Sequence, residues 1–342
     1  MCRTLAGPML HRGGGIVMKG LGRHRFERTD EVGGASARSR ASSGSWRISP
    51  ADAFSPGRTV DKTYRVLDRI GGGAMTEVLR ALDVHADRKV ALKHLRPSAM
   101  EVPEARKLLI AEARAMSRVR HENVVDIEAV GEWQETPYVV MEYVPGVPLD
   151  EWLALREICP PTLYEAFALV DRMCLGVEAV HASGGAFHDL AAGNFLVAPG
   201  LRAVVSGLGG SHTLAALRGD DAHTVRTPAT IAPEVVLRTA ETGGLPADVY
   251  AVGVLAYRLL VGRYPFDHDD ALETMALHAS EPPPSPCALR PELPRTVEPV
   301  LLSPLAKAPS DRTASVRELR LGLRAARKAA ARVSVRALPD SR

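Results

Sequence analysis

The sequence predicts an α+β fold in which a small β-rich lobe precedes a larger helical lobe. Short strands separated by turn residues fill the region before Gly146, and long apolar helical patterns fill the region after it. Strands followed by helices in this way are typical of α+β proteins. The length of 342 residues allows about two domains, and 46% hydrophobic with 24% charged residues is a globular composition.

The first lobe begins with three short strands. Residues 64–70, 78–83 and 89–95 are rich in aliphatic residues, and turn residues separate them, which predicts an antiparallel meander. Residues 103–120 place apolar side chains at helical spacing, so we expect a helix there. Residues 137–144 are predicted to form a further strand.

The second lobe contains two strongly apolar helical patterns. Residues 163–180 carry apolar side chains on one helical face, and residues 247–261 are almost wholly apolar, which predicts a buried central helix. The longest apolar stretch, residues 249–257, ends at Arg258. It is shorter than the roughly 20 residues that span a bilayer, so we expect no transmembrane segment.

Both ends of the chain are predicted to lie outside the lobes. Residues 1–60 contain 10 Lys or Arg against 4 Asp or Glu, and such a Ser- and Gly-rich segment cannot bury enough apolar surface to offset chain entropy. We therefore predict a disordered basic segment over residues 1–60. The two lobes should cover residues 61–144 and 145–325, and a basic tail should cover residues 326–342.

The cysteines and the charges limit the compartment and the partners. Cys2, Cys159, Cys174 and Cys287 have no close spacing, which argues against a disulfide framework or a zinc site and favours a reducing, cytoplasmic location. The basic ends raise nucleic-acid binding as an alternative. The C-terminal segment lacks aromatic residues for base stacking, so a nucleic-acid partner is not expected.

A glycine-rich segment lies between the first two predicted strands. Glycines fill positions 71–73, after Ile70 and before Val78. Glycine lets backbone N–H groups approach phosphate oxygens without obstruction by a Cβ atom. Taken alone, the segment also fits a hairpin turn, because Thr76 stands where a phosphate loop would have a third glycine.

Further motifs follow the glycine-rich segment in a fixed order. They are Val90-Ala91-Leu92-Lys93, Glu112, Met141-Glu142-Tyr143-Val144, Asp189, Asn194, Ala232-Pro233-Glu234, Asp248 and Arg312. In the order of these motifs, the chain resembles the Ser/Thr protein kinase family, in its bacterial eukaryotic-like branch. The likeness spans about residues 64–323 and is more specific than any single motif. The resemblance implies a bilobal protein-kinase fold, with helix αC in a β-rich N-lobe and an α-helical C-lobe.

The resemblance also implies an ATP site and protein partners or substrates. Lys93 would hold the α- and β-phosphates, and Glu112 would orient Lys93. In an active family member, Asp189 would accept the substrate hydroxyl proton and Asn194 would hold one Mg²⁺. The implied cofactor-binding residues are Ile70, Gly71, Gly73, Val78, Ala91, Lys93, Glu112, Met141, Glu142, Val144 and Leu196.

The chain departs from the family where phosphate and metal are handled. Ala191 replaces the catalytic-loop lysine, and Gly193 does not supply the arginine that tyrosine kinases place there. Phe187-His188 replaces His-Arg before the catalytic aspartate. Gly207-Leu208-Gly209 replaces Asp-Phe-Gly, so the carboxylate that bridges the metals is absent.

We therefore interpret the chain as a pseudokinase that binds ATP without a firm requirement for Mg²⁺ and acts as a signalling scaffold or allosteric partner. Loss of one electrostatic group costs roughly 10²–10³ in rate. An active, low-rate Ser/Thr kinase is the alternative, with Asp220 or Asp221 as a substitute metal ligand. Small-molecule phosphotransfer is disfavoured because Glu234 and Arg312 match protein kinases.

Two structural expectations accompany this interpretation. Met116, Ile127, Phe187 and Leu208 should form an apolar stack between the lobes, since Phe in place of His at 187 keeps or increases the buried area. Glu234 and Arg312 should form a structural ion pair rather than take part in catalysis.

Overall fold

The structure is a computed structural model. The residues that it describes are 53–73, 75–156, 159–187, 189–207, 228–239 and 244–336. Within these ranges an antiparallel sheet comes first and helices follow, so the predicted α+β class is confirmed.

The first lobe is built on a six-stranded antiparallel sheet in the order β1-β2-β3-β4-β6-β5. Lys93 lies inside this sheet, where its neighbours across the two ladders are Val78 and Val139. Its backbone is therefore fixed on both sides. The strands are β1 Thr59–Val60, β2 Tyr64–Gly72, β3 Thr76–Asp83, β4 Arg88–Leu95, β5 Ile127–Trp133 and β6 Thr136–Glu142.

Two helices follow the fourth strand, α1 over Pro97–Met100 and α2 over Pro103–Met116. Helix α2 packs against β4, β5 and β6. It ends four residues before the predicted boundary, where the Ser117 hydroxyl donates a hydrogen bond to the carbonyl oxygen of Arg114. Serine often ends helices in this way, because its hydroxyl competes for backbone groups.

The second lobe combines a small sheet with a helical core. Helix α4 begins at a capping box in which Thr162 and Glu165 satisfy each other's backbone N–H groups. The three strands are β7 Val147–Pro148, β8 Phe195–Ala198 and β9 Arg202–Val205. The helices are α3 Leu149–Ala154, α4 Leu163–Ala182, α5 Pro233–Val236, α6 Gly244–Val261, α7 Ala271–Ser280, α8 Pro286–Leu289, α9 Glu298–Leu302 and α10 Val316–Arg336.

Helix α6 is the centre of this lobe, as the apolar pattern predicts. Tyr250 and Tyr257 are completely buried, and α4 packs along the same helix. Among the described helices, α6 is the one that is long and apolar enough to cross a membrane by length and composition, and 72% of it is buried inside the protein.

The predicted disordered segment is wrong for its last residues. Phe54 is buried, and Val60 is completely buried in strand β1. Backbone hydrogen bonds from Gly57 N to Val66 O and from Val66 N to Arg58 O add this segment to the sheet. Residues 53–60 are therefore part of the folded first lobe, and residues 1–52 lie outside the described part.

The predicted start of the C-terminal tail is also wrong. Helix α10 continues through residue 325 to Arg336. Ala326 is buried, and its carbonyl oxygen accepts a hydrogen bond from Thr296 Oγ1. The guanidinium of Arg327 lies over the rings of Tyr164 and Phe167. Residues 337–342 lie outside the described part.

Candidate functional site

The side chains of Lys93 and Glu112 form an ion pair between the sheet and helix α2. Lys93 Nζ lies 3.0 Å from Glu112 Oε1 and 3.1 Å from Glu112 Oε2. The side chains are 19% and 13% exposed, so solvent screens this pair less than a surface pair. The helix holds its glutamate here because Leu109, Ala113 and Met116 on the adjoining face are buried. The predicted contact is confirmed.

Gly207 lies beside this ion pair. A Cβ atom at Gly207 would be 3.1 Å from Glu112 Oε1 and 3.9 Å from Lys93 Nζ. The preceding residue, Ser206, fixes the backbone, since its N–H and hydroxyl both donate to the carbonyl oxygen of Asn194 at 2.8 Å and 3.1 Å. A side chain at position 207 would therefore point at the pair, and glycine offers no carboxylate there.

The loop that carries Asp189 is anchored at both ends. The Phe187 N–H donates to Asp248 Oδ2 at 2.8 Å, and Asp248 is buried in helix α6. At the other end, the Ala191 N–H donates to Asn194 Oδ1 at 2.8 Å. Asp189 lies between these anchors and is partly exposed. The Asn194 amide oxygen thus accepts one backbone bond and keeps a second lone pair for another ligand.

The glycine-rich segment forms a tight hairpin between β2 and β3. Gly73 N donates to Thr76 O at 2.8 Å. Gly72 has φ +132°, and a Cβ atom there would lie 2.6 Å from Thr76 O. Position 72 therefore requires glycine, a point the sequence analysis missed because it named only Gly71 and Gly73 as binding residues. A Cβ atom at Gly71 would meet nothing within 4 Å, so the backbone there is open to a phosphate.

The predicted apolar walls belong to the main core of the protein. Ala91 and Met141 are buried, while Val78 and Leu196 are partly buried against the same core. Ile70 is 41% exposed, so it lies at the rim rather than inside. Partly exposed apolar walls on β3 and β8 are the form expected for a cleft that receives a flat ring.

Residues 141–144, here called the hinge, lie at the junction of the two lobes. The Glu142 side chain is paired with Arg202, whose Nη1 is 3.0 Å from Glu142 Oε1. Val144 is buried, and its carbonyl oxygen accepts a bond from Gly146 N. A Cβ atom at Gly146 would be 2.6 Å from Val197 O, so this glycine permits the hinge to lie against β8.

A small recess of about 10 Å³ lies beside the ion pair. The predicted phosphate-holding pair, Lys93 and Glu112, and the predicted ATP-site residue Met141 therefore line the same recess. The lining residues are Lys93, Leu109, Glu112, Ala113, Ile127, Val139, Met141 and Ser206.

Three of the four residues of the predicted apolar stack lie in the described part of the chain. Met116, Ile127 and Phe187 are all buried in the main core. Its fourth member, Leu208, lies outside the described residues, as do His188, Asp220 and Asp221.

Glu234 and Arg312 form the predicted structural ion pair. Arg312 Nη1 and Nη2 donate to Glu234 Oε1 and Oε2 at 2.8 Å and 2.6 Å, and both residues are buried. Arg312 also donates to the carbonyl oxygens of Ala306, Lys307 and Pro246. A buried charge pair needs such additional bonds to offset its desolvation.

The donor set fits nucleotide phosphates better than it fits a metal. Lys93 and the open backbone at Gly71 offer a cation and unobstructed approach for phosphate oxygens. Within the described ranges, no cluster of three or more His, Cys, Asp or Glu side chains could hold a metal ion. Asn194 Oδ1 would supply a single protein oxygen to a magnesium ion, which needs further oxygen ligands from carboxylates, phosphates or water.

Comparison with known proteins agrees with this geometry. Residues 64–319 match the protein kinase domain family. The chain belongs to the protein kinase family. The predicted resemblance and the predicted bilobal kinase fold are confirmed.

Individual kinases show how far the likeness extends. The chain is 34% identical over 283 residues to serine/threonine-protein kinase Pkn1 of Myxococcus xanthus, covering 80% of this chain and 40% of that protein. It is 30% identical over 262 residues to PknA of Mycobacterium tuberculosis, covering 75% and 59%. The crystal structure of the Mycobacterium tuberculosis PknI kinase domain shares the fold, with a TM-score of 0.63 and 24% identity over 81% of this chain and 100% of that one. The chain thus spans about half the length of these curated relatives.

Proposed function

We propose that this member of the protein kinase family is a pseudokinase, which binds a nucleotide between its lobes and acts on a protein partner as a scaffold or allosteric regulator. One observation carries the proposal. Gly207 lies beside an intact Lys93–Glu112 pair, so the phosphate-holding part of the site is assembled while the metal-holding carboxylate is absent.

The reaction depends on the groups that are missing. Phosphoryl transfer relies on positioning and on neutralising charge at the phosphate oxygens. Ala191 is buried where active relatives carry a lysine, and Gly207 has no side chain. Each such electrostatic group is worth roughly 10²–10³ in rate, although losses of this kind rarely add.

Two features support the proposed nucleotide binding. Both oxygens of Glu112 contact Lys93, and the apolar residues Val78, Ala91 and Leu196 belong to or pack against the main core. A nucleotide held mainly by Lys93, the glycine hairpin and the walls depends little on a divalent ion. We therefore expect ATP and ADP to bind with or without Mg²⁺.

An active, low-rate Ser/Thr kinase is the second candidate. The loop around Asp189 is fastened by Asp248 at one end and Asn194 at the other, as a working catalytic loop requires. That observation supports positioning of a substrate hydroxyl by Asp189. It does not identify a group that would neutralise the negative charge on the phosphates.

The two candidates are separated by measuring binding and transfer on one preparation. ATP should raise the melting temperature equally in EDTA and in Mg²⁺, and radiolabel transfer to a Ser/Thr peptide should be absent. Gly207→Asp combined with Ala191→Lys should restore Mg²⁺ dependence, and adding Asp189→Asn controls for a contaminating kinase. Turnover by the wild type that requires Mg²⁺ and is lost in Asp189→Asn would reject the pseudokinase proposal.

A further inference from the structure

Residues 53–61, here called the strap, lie on the sheet face opposite the nucleotide cleft. Phe54 is buried in a second apolar cluster, separate from the main core, that includes Tyr138 and Val140. The Tyr138 hydroxyl donates to Asp61 Oδ2 at 3.1 Å, which fastens the end of the strap. The strap therefore covers a face that the sheet would otherwise leave in water.

Phe54 stacks on His94 in strand β4. The ring centroids are 4.1 Å apart and the planes differ by 9°. His94 is 4% exposed, and its Nδ1 lies 2.9 Å from Leu95 O, so Nδ1 carries the proton. Burial lowers the pKa of His94, in agreement with a neutral ring under the aromatic contact. The strap thus rests on the residue that follows Lys93.

Residues 94–96 hold both strands of the glycine-rich hairpin. His94 is the cross-strand neighbour of Glu77, and Arg96 N donates to Met75 O. The Arg96 side chain continues the contact, since its Nε donates to Gly73 O at 2.8 Å and approaches Thr76 O at 3.3 Å.

A charged cluster above the hairpin completes the connection. Glu77 Oε1 is 2.8 Å from Arg69 Nε, which joins β3 to β2. Arg96 Nη2 lies 3.9 Å from Glu77 Oε1, while Glu77 Oε2 lies 3.6 Å from His94 Nε2, which carries no proton and makes no hydrogen bond there.

The hairpin needs these side-chain contacts because its own ladder is irregular. The pairing of β2 with β3 shifts between Val66 and Asp68 and again between Arg69 and Gly71. Bulges of this kind interrupt the regular hydrogen bonds of a strand pair. The Arg96 side chain, one residue past β4, therefore adds contacts at Gly73 and Thr76 to those of the β2–β3 ladder.

We infer that the strap positions the glycine-rich hairpin and that Phe54 is its positioning residue. Releasing Phe54 from His94 loosens residues 94–96, and the contacts of Arg96 with the hairpin at Gly73 and Thr76 are weakened. Displacement of the strap then weakens nucleotide binding from outside the cleft. This inference rests on the proposed nucleotide binding.

Hydrogen exchange of the full chain tests the positioning role without any nucleotide. Phe54→Ala should speed exchange in a peptide covering residues 69–79 by about tenfold or more, while a peptide from helix α4 stays unchanged. Val140→Ala is the matched control, because Val140 is completely buried in the same cluster but pairs with Leu92 rather than with residues 94–96. If Phe54→Ala does not fold, Phe54→Leu replaces it, since it keeps burial and removes stacking.

Calorimetric titration with ADP in EDTA measures the functional consequence. Phe54→Ala should weaken ADP binding by about threefold to tenfold, and Val140→Ala should leave it unchanged. The positioning role of the strap would be rejected if residues 69–79 exchanged at the same rate in the wild type and in Phe54→Ala. It would also be rejected if Phe54→Ala and Val140→Ala raised that rate equally. Wild type that binds no ADP would reject the proposed nucleotide site and leave the exchange result to decide the positioning role.

Discussion

A Cβ atom placed on Gly207 would lie 3.1 Å from Glu112 Oε1, which is closer than an ordinary van der Waals contact. Glycine therefore fits beside Glu112 without strain, in addition to leaving position 207 without a carboxylate. Any larger side chain must displace Glu112 by a few tenths of an ångström. That displacement would disturb a glutamate that holds Lys93 with both oxygens.

Gly207→Asp should therefore destabilise the metal-free protein. Two carboxylates would share one ammonium group in a partly buried site, at a cost of about 1–2 kcal/mol. The melting temperature should fall by a few degrees in EDTA and recover when Mg²⁺ and ATP are added. Gly207→Ala is the control for steric effects alone. Equal melting of the two variants in both conditions would contradict the electrostatic argument.

The Lys93–Glu112 pair should show strong coupling in a double-mutant cycle. Lys93→Met leaves the Glu112 carboxylate without its cation, and Glu112→Gln leaves the ammonium group with a weaker acceptor. We expect a coupling free energy of about 1–3 kcal/mol from urea unfolding, because the pair is mostly screened from water. Arg106 and Glu132 form an exposed pair and serve as the comparison. A coupling below that of the exposed pair would show that burial adds nothing.

His278 should make the protein acid-sensitive. It is completely buried, its Nδ1 is bonded to the Tyr250 hydroxyl, and burial, followed by the nearby Lys307 charge, lowers its pKa to about 4. Between pH 4 and 6.5 the unfolded chain binds a proton that the folded protein does not. Stability from this group is thus complete above about pH 6.5 and is lost as the pH falls towards 4, by up to about 3 kcal/mol.

His278→Gln should flatten this part of the stability curve. The measurement is urea unfolding at half-unit steps from pH 4 to pH 7.5. His85 is exposed, so His85→Gln is the matched control and should leave the wild-type slope unchanged. A wild-type slope that survives in His278→Gln would assign the acid sensitivity to other groups.

The Glu234–Arg312 pair should be costly to break and tolerant of joint replacement. Arg312→Met alone leaves a buried carboxylate and should cost about 3–5 kcal/mol. The double variant Glu234→Gln with Arg312→Met should recover part of that loss, because no uncompensated charge remains. Chemical denaturation gives both values. Arg317→Met, in an exposed pair with Glu178, should change stability by less than about 1 kcal/mol.

The parts of the site that were predictable are those set by local pattern. The ordered motifs located Lys93 and Glu112, and a strand followed by a helix brings them together as expected. Phe54 was not predictable in the same way. Its partner His94 is forty residues away in sequence, and widely spaced aromatic residues in a polar, Gly- and Ser-rich segment give no periodic signal.

The C-terminal helix was underestimated for a related reason. A basic composition predicts a solvated segment when each charge is considered alone. In the structure, Arg327 lies over the rings of Tyr164 and Phe167 on helix α4. Local sequence cannot show that contact, because the two aromatic residues lie far earlier in the chain.

The Lys93–Glu112 contact also affects the expected kinetics of nucleotide association. Because helix α2 already places Glu112 beside Lys93, the proposed nucleotide site needs no rotation of that helix before binding. Rapid-mixing experiments should accordingly give single-exponential traces whose rate rises linearly with concentration and shows no plateau from a slow isomerisation.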